Sequence, residues 1–248
     1  MSRPVDIYRT ANVRNGIQGT ARAYRSPASS PSENDVIKIY YHPISPPSRN
    51  VMMVAKELGV PHELRHVDLF KGEHKTEEFL RINPFGTLPS LVDEGFIVCE
   101  SRAIVTYLAN RYGKDDNLYP KDPRQRTRVD SALQFDVADL WPAIKALQKP
   151  QLFGKTPAAD AEEAVLAQLR HVDRMLSERK YLVSDHVTLA DICVLSSVTF
   201  LECFGNFSID QFENVSLWVD QLKRELRCYD VVNEGFELWK ADNRKRQE

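Results

Sequence analysis

The stretch Tyr40-Tyr41-His42-Pro43-Ile44-Ser45-Pro46-Pro47-Ser48-Arg49 joins two segments whose apolar residues follow different periods. An apolar, β-branched run precedes it and a run with helical spacing follows it; they contain Val36, Ile37 and Ile39, then Val51, Met52, Val54, Ala55 and Leu58. The stretch is therefore predicted to be a strand-to-helix turn. At such a turn, backbone N–H groups and the helix dipole can hold an anion.

The same alternation of patterns continues to about residue 112 and predicts a small α/β domain. Strands are expected near 36–41, 63–68, 87–92 and 96–99, and helices near 47–58, 76–82 and 101–112. The order β-α-β followed by β-β-α is that of a thioredoxin-like domain, which we place at 36–113.

The strand signals stop after Tyr119-Pro120. Helical periodicity predicts an all-α C-terminal domain over 120–241, with helices near 122–148, 158–178, 188–204, 214–227 and 231–241. Pro142 is expected to kink or break the first of these helices just after Trp141. Thr188 and Asp191 form a capping box, which predicts that a buried helix begins there.

The composition is that of an ordinary globular chain, with 248 residues, 42% of them hydrophobic, and a formal net charge of −2. That charge gives no footprint for nucleic acid or an anionic membrane. No apolar run approaches the roughly 18–20 residues that span a bilayer. The absence of a C-x-x-C pair argues against a disulfide scaffold or a zinc ribbon and favours a reducing compartment, the cytoplasm. The four cysteines are Cys99, Cys193, Cys203 and Cys228.

Residues 1–35 are predicted to be a flexible N-terminal extension, because the segment 26–32 is rich in serine and proline. Upstream of that segment, five arginines face a single acid, Asp6. This composition is typical of a mitochondrial transit peptide, and the alternative is a solvated tail on a cytoplasmic protein.

The segment His62-Glu63-Leu64-Arg65-His66 matches H-E-x-x-H, the signature of zinc proteases. Its two histidines can share an ion only on a helix, where positions i and i+4 lie on one face. In a strand they lie roughly 13 Å apart. Because the β-α-β order needs a strand here, we predict two histidines on a sheet edge and no metal site.

Ser45 and Ser48 occupy the positions where thioredoxin-type domains carry C-x-x-C, so this protein cannot itself exchange disulfides there. Ser45 can instead donate a hydrogen bond to the sulfur of a bound molecule. A thiol titrates near 8.5, and lowering its pKa by one unit takes about 1.4 kcal/mol. One charge-assisted hydrogen bond of ~1.5–3 kcal/mol is therefore sufficient. The alternative is that Ser45 only caps the helix.

Three further segments offer groups that suit a small peptide. In Asn83-Pro84-Phe85-Gly86-Thr87-Leu88-Pro89, a cis Leu88–Pro89 bond would turn the backbone of Leu88 outward to pair with an extended peptide. Ser101 opens a helix and can bind a carboxylate, while Glu100 can hold an amino group. The loop residues His74-Lys75 supply cationic or donor groups. A zwitterionic peptide that contains a thiol would satisfy all of these groups.

The ordered motifs H-P-x-S, G-E-H-K, N-P-F-G-x-x-P, E-S-R-A-I and T-L-A-D-I resemble those of a cytosolic glutathione S-transferase of the serine-dependent kind, over about 37–240. The resemblance implies a homodimer that takes glutathione as co-substrate and needs no metal. It implies that Ser45 is the catalytic residue, which stabilises the glutathione thiolate. The glutathione-binding residues that it implies are His74, Lys75, Thr87, Leu88, Pro89, Glu100, Ser101 and Arg102.

The resemblance also bears on class and substrate. N-P-F-G, with Gly86, is similar to the plant phi-like class, whereas Phe204-Gly205-Asn206-Phe207-Ser208 looks like the insect delta-like classes. Asp136 resembles an acid that in some classes reaches the site of the partner subunit. The electrophile site is expected between the two domains. Its candidate residues, each of which could equally belong to the core, are Phe135, Leu140, Trp141 and Phe204, with Phe236 and Trp239 near the end.

The predicted function is that of a glutathione transferase, which activates the glutathione thiol for attack on a small apolar electrophile. One alternative keeps the fold without turnover, as a glutathione-binding or interaction protein. The other is a glutathione-dependent peroxidase, isomerase or dehydrochlorinase, which would use the same thiolate.

Overall fold

The computed structural model describes residues 36–245, so the predicted extension at 1–35 and its possible transit function lie outside the described residues. The first part of the described chain has the β-α-β and β-β-α order expected of a thioredoxin-like domain. Its elements are β1 (Ile37–Tyr41), α1 (Pro46–Glu57), β2 (His62–His66), α2 (Glu77–Leu80), β3 (Ser90–Asp93), β4 (Phe96–Cys99) and α3 (Ser101–Tyr112). The α/β fold predicted from the sequence is confirmed.

The sheet has the strand order β2-β1-β3-β4, in which β1 and β2 are parallel and the other two pairs are antiparallel. Tyr40 of β1 lies opposite Ser90, the first residue of β3, and Ser90 lies opposite Cys99, the last residue of β4. The end of β1, the start of β3 and the end of β4 therefore meet at one edge of the sheet, the edge that the strand ends form. This register brings the segments that follow Tyr41, precede Ser90 and follow Cys99 to one place.

The second part of the described chain is helical, as predicted. Its elements are α4 (Pro123–Phe135), a π-helical turn (Asp136–Leu140), α5 (Trp141–Leu152), α6 (Ala161–Leu176), α7 (Leu189–Thr199), a 3₁₀ turn (Phe200–Cys203), α8 (Glu213–Glu225) and α9 (Tyr229–Lys245). The domain bounds 36–113 and 120–241 stay a prediction.

Pro142 does not interrupt the helix where the sequence suggested. The irregular hydrogen bonding lies before Trp141, in the π-helical turn Asp136–Leu140, and α5 runs on through Pro142 to Leu152. Proline lacks the N–H that would bond to the carbonyl of Ala138, four residues earlier. The wider turn just before Pro142 accommodates this missing bond.

The capping box that was predicted at Thr188 is present and α7 is the centre of the helical core. The Asp191 carboxylate accepts hydrogen bonds from the backbone N–H and the hydroxyl of Thr188, both at 2.9 Å. It also accepts from Leu182 N and from Trp218 Nε1. Every residue of α7 is buried, so the prediction of a buried helix is confirmed.

The segment with the H-E-x-x-H pattern forms β2, which is an edge strand of the sheet. His62 lies opposite Ile37, and His66 lies opposite Tyr41. The pair is therefore spread along a strand, as predicted. No helix within 36–245 is long and apolar enough to cross a membrane, and the four cysteines are free thiols.

Candidate functional site

Ser45 lies at the N-terminus of α1, next to the sheet edge where three strands meet. Its backbone is extended, with φ −78° and ψ 113°, and its Oγ accepts a hydrogen bond from Ser48 N at 3.4 Å. Its carbonyl accepts from Arg49 N at 3.0 Å, which starts the helix. The predicted cap is therefore present, and Ser45 is only partly buried.

Pro46 and Pro47 change what this helix end can offer to an anion. They fill the first two helical positions and remove two backbone N–H groups. The third N–H, of Ser48, points to Ser45 Oγ. Backbone donors, which the sequence suggested for this turn, are thus absent or occupied. The hydroxyl hydrogen of Ser45 has no acceptor in the described part of the chain, so it is the donor that remains.

The turn from His42 to Ser45 is held by short-range hydrogen bonds. Ser45 N donates to His42 O at 3.0 Å, Ile44 N donates to His42 Nδ1 at 3.4 Å, and His42 N donates to Ser48 Oγ at 3.4 Å. Burial, followed by the charge of His66, lowers the pKa of His42 to about 4. The ring is therefore neutral near pH 7 and can accept the bond from Ile44.

The N-terminus of α3 carries the second group of predicted residues. Arg102 Nη1 donates to Ser101 Oγ at 2.7 Å, and Arg102 Nη2 pairs with the Asp136 carboxylate. The Arg102 side chain is 12% exposed and that of Asp136 is fully buried. The first backbone bond of α3 runs from Ile104 N to Glu100 O, so the N–H groups of Ser101, Arg102 and Ala103 have no intrahelical acceptor.

This helix end opens onto a cavity of about 380 Å³ that Glu100, Ser101 and Arg102 all line. Glu100 is exposed and has φ 70° and ψ 109°, a backbone conformation that is rare outside glycine. Asp136, which the resemblance linked to a partner subunit, is paired here with Arg102 of its own chain. The arrangement combines free N–H groups, a hydroxyl and a carboxylate, which suits a zwitterion.

A buried amide joins the two helix ends. With its oxygen towards Arg102, the side chain of Asn50 accepts from Arg102 Nη1 at 3.1 Å and donates to Ser196 Oγ at 2.6 Å and to Pro46 O. Asn50 belongs to α1 and Ser196 to α7. The start of α1, the start of α3 and the core helix α7 are therefore fixed relative to one another.

The loop before β3 is organised by Asn83, which is fully buried. Asn83 Nδ2 donates to Thr87 O at 2.8 Å, Thr87 Oγ1 at 3.2 Å and Ser90 Oγ at 3.1 Å, while its Oδ1 accepts from Phe85 N at 3.0 Å. The Leu88–Pro89 bond is cis, as the sequence analysis considered. Because Ser90 lies opposite Tyr40 and Cys99, these loop residues reach the same sheet edge as Ser45 and Glu100.

His74 and Lys75 lie beside this loop. Lys75 Nζ donates to Gly86 O at 2.9 Å and to Phe85 O at 3.3 Å, so two of its three protons are used within the chain. Within the described chain the buried Nδ1 of His74 has no partner. Burial, with the charge of Lys75, lowers the pKa of His74.

Gly86 is required by its surroundings. Its φ is +58°, and a Cβ there would lie 2.8 Å from both His74 O and Lys75 Nζ. A residue with a side chain would not fit this conformation, because its Cβ would collide with the backbone of His74.

The candidate electrophile residues fall into two groups. Trp141 meets the Phe200 ring edge-on with centroids 5.5 Å apart, and Phe200 stacks on Phe236 at 6.2 Å. Phe204 meets Trp239 of α9 at 6.1 Å.

Phe135 and Leu140 do not join these aromatic contacts. Leu140 is fully buried in the core. Phe135 packs against His171 of α6, with ring centroids 5.6 Å apart. Both therefore remain predictions for the electrophile site.

Several residues that shape the site were not singled out in the sequence. Most of them act across long sequence separations or through backbone proximity, whereas Asn83 acts within its own loop; they are Arg49, Asn50, Asn83, Phe200 and Gly235. Asn83 could have been found, since asparagine before proline is a turn signal. The others carry no local signal.

Comparison with known proteins gives the chain a family. A model of the glutathione S-transferase N-terminal domain matches residues 39–117, and a model of the C-terminal domain matches residues 134–225. Among solved structures, a delta-class glutathione transferase of Nilaparvata lugens is similar, with 35% identity, a TM-score of 0.80, and coverage of 86% of this chain and 100% of that one.

Two other solved structures are similar. A Bombyx mori glutathione transferase has 37% identity and a TM-score of 0.78, covering 83% of this chain and 97% of that one. An epsilon-class glutathione S-transferase of the housefly Musca domestica has 31% identity and a TM-score of 0.78, covering 85% and 98%. These relatives agree with the delta-like features of residues 204–208. The chain belongs to the glutathione S-transferase family and is a glutathione transferase.

Proposed function

We propose that Ser45 stabilises the thiolate of bound glutathione by donating its hydroxyl hydrogen to the sulfur. The observation that carries this proposal is the state of its helix end: Pro46 and Pro47 remove two backbone donors, Ser48 N is bonded to Ser45 Oγ, and the Ser45 hydrogen has no acceptor in the described chain. One such bond of ~1.5–3 kcal/mol would lower the thiol pKa by one to two units. The acceleration then comes from thiolate population and proximity to the electrophile, with no covalent enzyme intermediate.

We propose that the rest of glutathione lies along the sheet edge. The γ-glutamyl carboxylate binds Ser101 and the free N–H groups of α3, and Glu100 holds the amino group. Arg102 orients the Ser101 hydroxyl, since its Nη1 donates a hydrogen bond to that oxygen. The cavity lined by all three residues supports this placement.

The cysteinyl and glycyl parts of glutathione are assigned to the neighbouring loops. Leu88, before the cis bond to Pro89, pairs with the cysteinyl backbone, and Thr87 adjoins it. His74 and Lys75 bind the glycyl carboxylate. The unpartnered Nδ1 of His74 and the third proton of Lys75 support this role.

We propose that a small apolar electrophile binds beside the sulfur, against Trp141 and Phe204, and that the protein is a cytoplasmic homodimer. An interface with a second copy would cover exposed apolar side chains such as Phe85, which is 54% exposed, and Val137, which is 42% exposed. Light scattering after size-exclusion chromatography tests the dimer.

The test of Ser45 uses a chromogenic aryl halide and an ultraviolet titration of enzyme-bound glutathione. In Ser45→Ala the pKa of the bound thiol should rise by about one to two units, and kcat/KM near neutral pH should fall roughly 10- to 100-fold. Ser45→Thr keeps a hydroxyl and should retain most of the activity. A bound thiol whose pKa is the same in wild type and Ser45→Ala would refute the assignment.

A further inference from the structure

Gly235 lies inside α9, ten residues before the last described one. Glycine lowers the stability of a helix relative to alanine, because it gives up more backbone freedom on folding. A glycine in this position therefore calls for a packing reason.

The packing reason is Pro43. A Cβ built on Gly235 would lie 2.9 Å from Pro43 Cβ and 3.6 Å from Pro43 Cγ. Two carbon atoms have their optimal separation at about 3.5–4.0 Å, so the first distance is a clash. The pyrrolidine ring of Pro43 cannot swing away as a long side chain would, since its φ is fixed. An added side chain at 235 must move either α9 or the backbone of Pro43.

Pro43 moves together with Ser45. Both belong to the turn that is closed by the bonds from Ser45 N to His42 O and from Ile44 N to His42 Nδ1. A displacement of Pro43 is therefore passed to the Ser45 hydroxyl two residues later.

Helix α9 is not free to move away from the turn. The Arg49 side chain, which is fully buried, donates to Asn233 Oδ1 at 2.7 Å, to Thr199 Oγ1 at 3.2 Å and to Ser196 O at 2.8 Å. Its guanidinium carbon lies 4.1 Å from the centroid of the Phe236 ring. Asn233 and Phe236 stand on either side of Gly235 in the sequence. Arg49 belongs to α1, so the helix that carries Ser45 at its cap also anchors α9.

We infer that Gly235 is a positioning residue for the transferase reaction: the space left by its missing side chain lets α9 lie directly against Pro43, and this contact sets the place of the Ser45 hydroxyl at the glutathione sulfur. The inference rests on the proposed role of Ser45. It gives α9, which also carries the electrophile-site candidates Phe236 and Trp239, a part in thiolate formation.

Gly235→Ala tests this inference in the full-length protein. A small displacement of a reacting group is costly in an enzyme, so kcat/KM for the aryl halide should fall roughly tenfold. The pKa of the bound thiol should rise, while KM for glutathione stays close to that of wild type because α3 and the loop at 83–89 are untouched. Glu234→Ala, at an exposed neighbour on α9, should leave all three quantities unchanged.

A second pair of variants keeps the test valid even if Gly235→Ala folds poorly. Pro43→Gly removes the atoms that the new Cβ would meet, so adding Gly235→Ala to Pro43→Gly should cause no further loss of activity. The inference is overturned if Gly235→Ala has a wild-type thiol pKa, or if it costs the same factor with and without Pro43. Those results leave Ser45 in place, whereas an unchanged thiol pKa in Ser45→Ala would remove the proposed role of Ser45 itself.

Discussion

Both α1 and α3 follow a strand and have a serine at their N-terminus, Ser45 as the cap of α1 and Ser101 as the first residue of α3, yet the two helix ends present different chemistry. At α1, Pro46 and Pro47 remove the backbone donors and leave the Ser45 hydroxyl alone. At α3, the N–H groups of the first turn have no acceptor in the described chain, and the Ser101 hydroxyl oxygen accepts a hydrogen bond from Arg102. The first end suits a single soft sulfur atom, and the second suits a carboxylate with two oxygens.

A serine at a helix N-terminus therefore has no fixed role. What decides the role is the next two residues in the helix and the charge buried beneath them. At α1 the prolines leave the serine hydroxyl as the hydrogen-bond donor. At α3, above the buried Arg102–Asp136 pair, the backbone N–H groups are still able to donate. The two ends can therefore be separated by substitution, and the expected effects differ in size.

The largest effect is expected from Asp136→Asn, because only the α3 end depends on a buried ion pair. The substitution leaves the Arg102 guanidinium buried without a carboxylate, and breaking such a pair costs about 3–5 kcal/mol. A urea titration should show that loss in the free energy of unfolding. Asp139→Asn, at an exposed position of the same π-helical turn, should change it by less than about 0.5 kcal/mol. Equal losses in both variants would contradict the difference between the helix ends.

A smaller effect is expected from Ser101→Ala, and it should fall on binding. The variant should lose the proposed charge-assisted bond to the glutathione carboxylate, which corresponds to a roughly tenfold higher KM for glutathione. The pKa of the bound thiol should stay at its wild-type value, whereas Ser45→Ala should raise it. Steady-state kinetics with varied glutathione, combined with the thiol titration, separates the two. A change of thiol pKa in Ser101→Ala would show that the two ends do not act separately.

The smallest effect is expected from Glu100→Gly. Glu100 holds φ at 70°, whereas the cap residue of α1 has a relaxed φ of −78°. Glycine adopts a positive φ without strain, so the free energy of unfolding should rise by roughly 1 kcal/mol, even after its greater freedom in the unfolded chain is subtracted. KM for glutathione should rise as well, because the amino group loses its carboxylate.

Glu94→Gly is the matched control for Glu100→Gly. Glu94 also has a positive φ, of 47°, but lies in the exposed turn between β3 and β4. Glu94→Gly should raise the melting temperature in a thermal melt and leave KM for glutathione unchanged. An increase of KM in the control would remove Glu100 from the amino site.

The parts of the molecule that follow from the sequence are those with local causes. The period of the apolar residues predicts the strand before Ser45 and the helix after it, and the capping box predicts the start of α7. The candidate site residues at 45, 88 and 100 follow or precede strands whose ends lie together, so the order of the strands was enough to bring them to one side of the sheet.

The parts that the sequence did not predict depend on contacts between distant segments. Nothing near Arg49 indicates that it will be buried between α7 and α9, and nothing near Gly235 points to Pro43. The position of the irregular turn was not predictable either. A helix can accommodate the bond that Pro142 lacks before or after the proline, and here the irregular turn lies before it, at Asp136–Leu140. To predict that the Ser45 hydroxyl is the remaining donor, one must also know that the Ser48 N–H points to Ser45 Oγ.

Arg49 has a consequence for how the chain reaches its folded state. It belongs to the helix of the α/β part, yet its hydrogen-bond acceptors at Ser196, Thr199 and Asn233 all come from the helical part. If the helical part were absent, the buried Arg49 guanidinium would have none of these acceptors, and burying an unpaired cation is costly. The two parts are therefore expected to unfold in a single transition, and a fragment that ends before α4 would leave the Arg49 guanidinium without these three acceptors.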